Sequence, residues 1–454
     1  VLHLSEQEIV RRQQVEALRE KNINPWPSEE FLVTHYAEQI KKNFNPDSPE
    51  ALAKVAIAGR IMFKRIQGKA SFVDIQDATG KIQLYVSRDE LCPGEDKSLY
   101  ESIFKHHLSL GDIIGVEGSV FLTKTGEITV KARSLQILSK AIRPLPTPKE
   151  VDGKIYDAFT DPEQRYRMRY VDLVVNPKTR EVFIKRTKLI NAIRNFFNAH
   201  GFLEVETPIL QPVYGGATAR PFTTYHNALD MKLYLRIANE LYLKRLIVGG
   251  FDAVYEFARD FRNEGLSRFH NPEFTQVELY VAYKDYLWMM DLVEEMIENA
   301  AIAVNGSPAV TYSETVNLDF SRPWKRYTLQ EALLQFASID IDKASVEEMR
   351  AFALRSDISP EAHWKKEHYI DEFIGKFVEP KLINPTFLMD YPVEMSPLAK
   401  KHRSKPGYVE RFELICNGKE ICNAYSELND PLEQRARFEE QVANRAAGDE
   451  EAMA

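Results

Sequence analysis

The sequence predicts an α+β fold in more than one domain, and three observations carry that prediction. A chain of 454 residues is too long for a single core. Short strand-like runs crowd residues 55–138, whereas helical periodicities and hairpins alternate beyond residue 176. Between the two lies 141–149, where Pro144, Pro146 and Pro148 exclude a helix or central strand and read as a stiff linker.

The elements follow in order. Ser5 with Glu8 forms a capping-box signature ahead of Ile9, Val10, Ala17 and Leu18, and residues 22–27 break the pattern, so an N-terminal helix is expected. Runs at 55–61, 71–76, 81–86, 112–118 and 127–138 read as five strands, which in so short a span make a small barrel of the OB type. Past the linker, Ile184, Leu189, Ile190, Ile193, Phe196 and Phe197 recur at helical spacing, and Gly201 can end that helix in a left-handed conformation. Residues 202–207 read as a strand stopped by Pro208. A helix from Asn239 to Gly249-Gly250 feeds a hairpin, 285–303 is helical, and 311–401 mixes helical and irregular pieces and reads as an insertion. Asn417-Gly418 is the strongest two-residue turn signal in the chain.

Composition excludes several classes. A net charge of −8 argues against a bulk electrostatic grip on nucleic acid, so RNA contact needs a local patch. Arg60, Lys64, Arg65 and Lys69 supply one, with no acid between Gly59 and Phe72, and Phe72 is available for base stacking; a solvated edge strand protected by charge is the alternative. Three cysteines, Cys92, Cys416 and Cys422, lack metal-ligand spacing and fit free thiols in a reducing, cytoplasmic setting. No run reaches the roughly twenty apolar residues of a membrane span, and no charged-then-apolar leader opens the chain, which starts at Val1. The Gly68-Lys69-Ala70 step fails as a phosphate-binding loop because Phe63 and Ala70 stand where glycine and a hydroxyl are needed, and no Gly-x-Gly-x-x-Gly follows a predicted strand.

The most informative stretch is 261–283. Its second strand alternates, with Val277, Leu279 and Val281 on a core face and Phe274, Gln276, Glu278 and Tyr280 on the other. An acid, a phenol and a flat ring side by side are an expensive interior filling but suit a site for a cation and an adenine. Arg262 and Glu264 flank the turn, with His270 and Asn271 before the returning strand; an isolated surface ion-pair network is the bland alternative, weakened by the neighbouring Glu278 and Tyr280. Around Asn417-Gly418, pairing sets Ile415 opposite Glu420 and Glu413 opposite Cys422. Glu413 and Glu420 thus converge with no basic partner, a magnesium-like arrangement. Bringing Asn423, Tyr425 and Glu427 to the same side requires a bulge near Cys422, which is predicted. Cys416 and Cys422 read as packing thiols.

Together these segments resemble the class II aminoacyl-tRNA synthetases of subclass IIb, lysyl type, over nearly the whole chain. Gly201-Phe202 through Thr207-Pro208 looks like the family's first signature, which builds a dimer interface, and Phe261-Arg262-Asn263-Glu264 through Phe274 looks like the second. Tyr214-Gly215-Gly216-Ala217, Arg236-Ile237-Ala238 with Glu240, Glu278 with Tyr280, and Asn423-Ala424-Tyr425-Ser426-Glu427 resemble its lysine pocket. The resemblance implies an N-terminal helical extension at 1–52, an anticodon-binding OB domain at 53–140, a linker at 141–175, and a class II catalytic domain of antiparallel sheet flanked by helices at 176–454, with the insertion at about 304–401. It implies ATP-dependent activation of L-lysine to lysyl-adenylate and transfer to tRNA(Lys), by a homodimer.

By that resemblance Glu240 holds the α-ammonium, Arg262 and Asn423 the carboxylate side, and Glu278, Tyr280 and Glu427 the distal ammonium, with Tyr425 and Gly216 as walls. Arg262, Glu264 and His270 are the implied catalytic residues. Arg262 also touches the α-phosphate, Glu264 and Phe274 position adenine, and His270 and Asn271 lie near the triphosphate and ribose. Glu413 and Glu420 are the implied Mg2+ ligands, and Arg65, Phe72, Gln83 and Glu127 the anticodon contacts.

The family's third signature, a glycine-rich strand and helix ending in an ATP-binding arginine, has no counterpart here. After Glu427 a polar helix to Ala447 is expected and the sequence stops at Ala454, which reads as a truncated record. Asn239, Phe269, Cys422 and Ala424 depart from the pattern near the pocket. An aspartyl- or asparaginyl-specific synthetase should have a basic pocket instead, which the acids Glu240, Glu278 and Glu427 oppose; a catalytically dead RNA-binding relative is the rival from another class.

Overall fold

The structure is a computed structural model that describes residues 4–146, 149–151, 154–156, 159–217 and 219–446. Pro148 of the expected linker and Ala447 at the end of the expected last helix lie outside the described residues. The chain divides into two compact units, 1–181 and 182–454.

In the first unit helix α1 (Glu6–Glu20) begins as its capping box requires: the Glu8 amide donates to Ser5 Oγ at 3.3 Å and the Ser5 amide to Glu8 Oε2 at 2.9 Å. Strands β1 (Val55–Gln67), β2 (Ala70–Gln76), β3 (Lys81–Ser87), β4 (Ile113–Leu122) and β5 (Ile128–Ser139) close a barrel in the order β1-β2-β3-β5-β4. The predicted strands are all present, and alternation puts Val73, Ile75, Ile82, Leu84, Val86, Val116 and Val130 in its core. Gly118 is needed where β4 crosses β5, because a Cβ there would meet the Lys131 carbonyl oxygen at 2.0 Å. A buried ion pair, Lys140 Nζ to Asp112 at 2.7 Å, ties the exit of β5 to the start of β4. Beyond it, residues 141–146 form neither helix nor strand. Residues 149–151 pair with 154–156, and 162–167 and 169–175 are helical, so most of the expected 141–175 linker is ordered structure built on buried Asp172, to which Arg165 and Arg169 both bond.

Helix α2 (Pro177–Ala199) is followed by Gly201 with φ +76, as the sequence requires. The strand expected at 202–207 shortens to β6 (Leu203–Glu204), since Pro208 and the side-chain bonds of Thr207 take over. Helix α3 (Glu240–Val248) leads into the hairpin β7 (Ala253–Phe261) and β8 (Glu273–Val281), which with β6 makes a sheet ordered β8-β7-β6. Val277 and Leu279 pack on the cluster of Phe196, Phe197 and Tyr255, as expected for that face of β8, while its opposite face is half-buried as well. Helix α4 (Tyr286–Asn305) starts at Asp285, whose carboxylate accepts from the Trp288 amide, and ends at Gly306 with φ +77.

A second sheet has the order β9-β10-β11-β12, from β9 (Lys325–Thr328), β10 (Thr386–Pro392), β11 (Tyr408–Cys416) and β12 (Lys419–Tyr425). Two of its four strands, including the buried interior strand β10, come from the 304–401 stretch expected as an insertion. That stretch was opaque because Thr386–Pro392 is buried on both faces and so shows no strand alternation. Both sheets are mainly antiparallel, but each also holds one parallel pair, β6 with β7 and β9 with β10. Helix α5 (Pro431–Ala446) follows.

Candidate active site

The site lies in the second unit, where one face of β8, the start of α3 and the end of the β11–β12 hairpin converge. Its floor is a buried network. Arg236 donates to Glu256 at 2.8 Å and pairs with Asp260 at 2.9 Å, and Thr207 and Asn239 complete the bonds of Glu256. Gln276 then links Asp260 to Glu278, donating to Glu278 Oε1 at 2.9 Å. Asn239, one of the departures from the family pattern, is thus built into the floor.

On this floor stand three carboxylates. Glu278 accepts from Tyr280 at 3.1 Å, and burial, then the charges of Glu240 and Asp260, push its pKa up to about 8. Glu240 accepts from Tyr425 at 3.0 Å and pairs with Lys244 at 2.5 Å. Glu427 pairs with the same Lys244 ammonium at 2.7 Å, yet burial still lifts its pKa to about 7. These groups are crowded by protein on most sides, but Glu278 and Tyr425 are half-buried and Glu427 keeps 36% of its side-chain surface exposed. Gly216 has φ +90, and a Cβ there would sit 3.2 Å from the Glu240 Cβ, so a side chain would fill the space beside that acid. The predicted residues Gly216, Glu240, Glu278, Tyr280, Tyr425 and Glu427 therefore come together. Such a wall suits a ligand carrying ammonium groups, because three carboxylates outnumber the Lys244 ammonium that pairs with Glu240 and Glu427, and Glu278 is raised in energy until a cation reaches it.

Arg262 sits beside this wall, its guanidinium 5.2 Å over the ring of Phe274 and its Nε donating to the Ile237 carbonyl at 3.4 Å. The loop between β7 and β8 is closed by the Arg262 amide on the Pro272 carbonyl at 2.8 Å. Glu264, His270 and Asn271 are exposed on it; His270 Nδ1 lies 2.8 Å from Ser267 Oγ, and Asn271 donates to the Glu273 carbonyl at 2.6 Å. Lys419, at the tip of the last hairpin, stands 4.8 Å over the Phe269 ring.

In that hairpin Asn417 and Gly418 have φ +51 and +66, the left-handed pair a tight turn needs. The predicted bulge is present: Ile415 faces Glu420 but Leu414 faces Cys422, leaving Ile421 as the extra residue. Glu413 consequently faces Asn423 rather than Cys422, a correction to the simple pairing. A second correction concerns charge, because Glu413 is not without a basic partner. Arg411 pairs with it at 2.5 Å and donates to Asn423 Oδ1 at 3.1 Å. Glu420 makes no ion pair among the described residues; burial and then Glu413 push it up to about 7. Among the described residues no group of three or more His, Cys, Asp or Glu side chains forms a metal cage. Burial lifts the Cys416 thiol to about 11; for Cys422 burial, then Glu420 and Glu413, give about 12, so neither is a nucleophile at neutral pH.

In the first unit Arg65 faces Phe72 across β1 and β2, and Phe72 faces Tyr85 on β3 with ring centroids 5.4 Å apart. Tyr85 is in turn 6.0 Å from Phe121. Gln83 accepts from Thr129 at 2.9 Å and lies opposite Asp74, whose pKa is raised by burial and by Glu127, so Arg65, Phe72, Gln83 and Glu127 share one barrel face. The basic stripe, however, is half consumed. Lys64 donates to the carbonyls of Phe104 and Leu108, both at 2.7 Å, and burial brings its pKa down to about 8, while Arg60 donates to the Gly111 carbonyl at 2.7 Å.

Sequence reasoning missed Lys244, Arg411, Tyr85 and Phe121. The first is four residues after Glu240 on a helix and Arg411 is two residues before Glu413 on one strand face, spacings that foretell contact; Tyr85 and Phe121 meet their partners only through strand register.

Comparison with known proteins fits this geometry. Residues 161–454 match the family described as tRNA synthetases class II (D, K and N), and residues 55–138 match the OB-fold nucleic acid binding domain. The chain belongs to the class II tRNA synthetases, with an anticodon-type OB-fold domain ahead of the synthetase core. Among its relatives it is 54% identical to the Lysine--tRNA ligase of Porphyromonas gingivalis strain ATCC 33277 over 100% of this chain and 78% of that protein. It is 55% identical to that of Christiangramia forsetii, over 99% and 78%, and 51% identical to that of Azobacteroides pseudotrichonymphae genomovar. CFP2, over 99% and 89%.

Proposed function

We propose that this chain is a lysine–tRNA ligase, which activates L-lysine with ATP and transfers it to tRNA. The observation that carries the reading is the wall of Glu240, Glu278 and Glu427 with Tyr280 and Tyr425, together with the identity to lysine-specific relatives. A desolvated carboxylate left without a cation by a shorter or neutral amino acid costs several kcal/mol, which is enough for strong rejection. In this assignment Glu240 beside Gly216 takes the α-ammonium, Arg262 and Asn423 face the carboxylate, and Glu278, Tyr280 and Glu427 take the distal ammonium.

The lysine carboxylate is already anionic, so adenylation needs no general base. One of its oxygens attacks the α-phosphorus, pyrophosphate leaves, and the 3′-terminal hydroxyl of the tRNA then displaces AMP from the carbonyl carbon. Arg262 would stabilise the charge added at the α-phosphate while Phe274 and Glu264 hold the adenine, with His270 and Asn271 toward the triphosphate and ribose. Magnesium usually binds through one or two carboxylates plus substrate phosphates, and Glu420, crowded by Glu413 and in no ion pair among the described residues, is such a donor. Glu413 and Glu420 would hold the ion, which when bound screens the phosphate charge.

The reading assigns 53–140 to the anticodon, with Arg65, Phe72, Gln83 and Glu127 as contacts, and 176–454 to catalysis. Exposed Val182, Ile184 and Leu189 of α2, with exposed Leu203, Ile209 and Leu210, support a homodimer. No helix among the described residues is long and apolar enough to cross a membrane, and the three cysteines are free, in keeping with a cytoplasmic enzyme. Amino-acid-dependent pyrophosphate exchange tests the assignment. Exchange with lysine and none with aspartate or asparagine is expected; the reverse pattern ends it.

A further inference from the structure

Lys244 belongs to none of the roles assigned above, although its ammonium sits inside the site. It lies one helical turn after Glu240 on α3, with Nζ 2.5 Å from Glu240 Oε1 and 2.7 Å from Glu427 Oε2, so one internal cation joins the first turn of α3 to the chain just past β12. The contact is sheltered, with 27% of the Lys244 side chain and 7% of the Glu240 side chain exposed. Its reach is selective. Glu278 is bonded instead to Tyr280 and Gln276, so the far wall holds no internal cation at that acid among the described residues.

We propose that Lys244 is a positioning residue for recognition of the diamino acid: its ammonium bridges Glu240 and Glu427 and sets where their remaining oxygens meet the two ammonium groups of the substrate. This rests on the lysine-ligase reading of the same site. Each carboxylate offers two oxygens, and the bridge uses Oε1 of Glu240 and Oε2 of Glu427. Glu240 Oε2 lies on the side of Gly216, where the substrate's α-ammonium is assigned. Without a cation between them the two acids would repel each other and Glu278 as well. Burial already pushes Glu427 up to about 7 against the pull of Lys244, so losing the ammonium favours its neutral form and weakens its hold on a cation.

A rival use of the same geometry is a placeholder. The side chain has the stem and head of the substrate, and substrate could displace it. The two differ in sign: a clamp lost raises the KM for lysine, whereas a placeholder lost lowers it.

The experiment is lysine-dependent pyrophosphate exchange by the full chain carrying K244M or K244R, with thermal unfolding curves alongside. K244M is expected to raise the KM for lysine on the order of 10- to 100-fold, with kcat at saturating lysine and the KM for ATP changed by less than about threefold. K244R, which keeps the charge, should recover most of the loss, and adding K244M to E427Q should cost less than the product of the single effects. An unchanged or lowered KM for lysine in a K244M protein that melts like the unsubstituted one overturns the proposal. So does a K244R protein as impaired as K244M, which also decides the matter if K244M fails to fold. Should the unsubstituted chain exchange no pyrophosphate with lysine, the functional reading itself fails and this proposal with it.

Discussion

The acidic wall of the second unit and the basic strand face of the first are both dense in charge, but the two regions handle it in opposite ways. On the wall, the Lys244 ammonium pairs with Glu240 and Glu427 but not with Glu278, and Glu278 and Glu427 carry raised pKa values. On the barrel, Lys64 and Arg60 are bonded to backbone carbonyls and serve the fold, while Arg65, Gln83 and the aromatic row of Phe72, Tyr85 and Phe121 lie on the face proposed for the anticodon. Where charge is left in excess, a ligand of opposite sign gains the most; where it is satisfied by carbonyls, removing it injures the structure instead. The first unit is therefore expected to work by stacking more than by net charge, and the second by charge matching.

The largest effect should fall on the wall. Glu278→Gln is expected to lower kcat/KM for lysine in pyrophosphate exchange roughly 1,000-fold, about 4 kcal/mol; a loss under threefold would erase the contrast drawn here. On the barrel, Phe72→Ala should weaken tRNA charging by about 1–3 kcal/mol, the worth of one stacked base, while adenylate formation is untouched. Equal loss in both assays would point to a damaged fold. Lys64→Met sharpens the same comparison. It leaves the Phe104 and Leu108 carbonyls without their donor and should lower stability to denaturant by about 1–2 kcal/mol, with little change in the KM for tRNA. A large rise in that KM at unchanged stability would return Lys64 to the RNA-binding stripe.

The smallest effect is in pH. With a folded pKa of about 8, Glu278 is mostly protonated at pH 7 in the free site, so the KM for lysine should fall as pH rises from 7 to 9, by at most about tenfold. The stability sign is opposite. Between its ordinary 4.5 and about 8 the folded protein binds more protons at Glu278 than the unfolded chain does, so the stability contributed by this group declines as pH rises through that window. Comparing melting temperatures of the unsubstituted chain and E278Q between pH 5 and 8 isolates the slope; parallel curves would show that Glu278 is not held neutral.

Much of this architecture was legible locally. The Ser5–Glu8 capping box, Gly201, the Asn417-Gly418 turn and the alternation of β8 each specify a backbone geometry within a few residues, and each is observed. The bulge near Cys422 was also legible, since only an extra residue lets Glu413 share a side with Asn423. The interior strand β10 was not, because a strand buried on both faces loses the period of two that marks strands in a sequence.

What the sequence determined by itself was therefore the placement of faces, caps and turns, because these follow from short-range sterics and hydrogen bonding; the acidic sign expected of the pocket through Glu240, Glu278 and Glu427 came from the family resemblance. Only the tertiary structure decided which charges are free to act. Arg411 reaches Asn423, Lys244 reaches Glu427 and Lys64 reaches the carbonyls at 104 and 108 through chain pairings, and at separations of a few ångströms those meetings outweigh any property of the side chain alone.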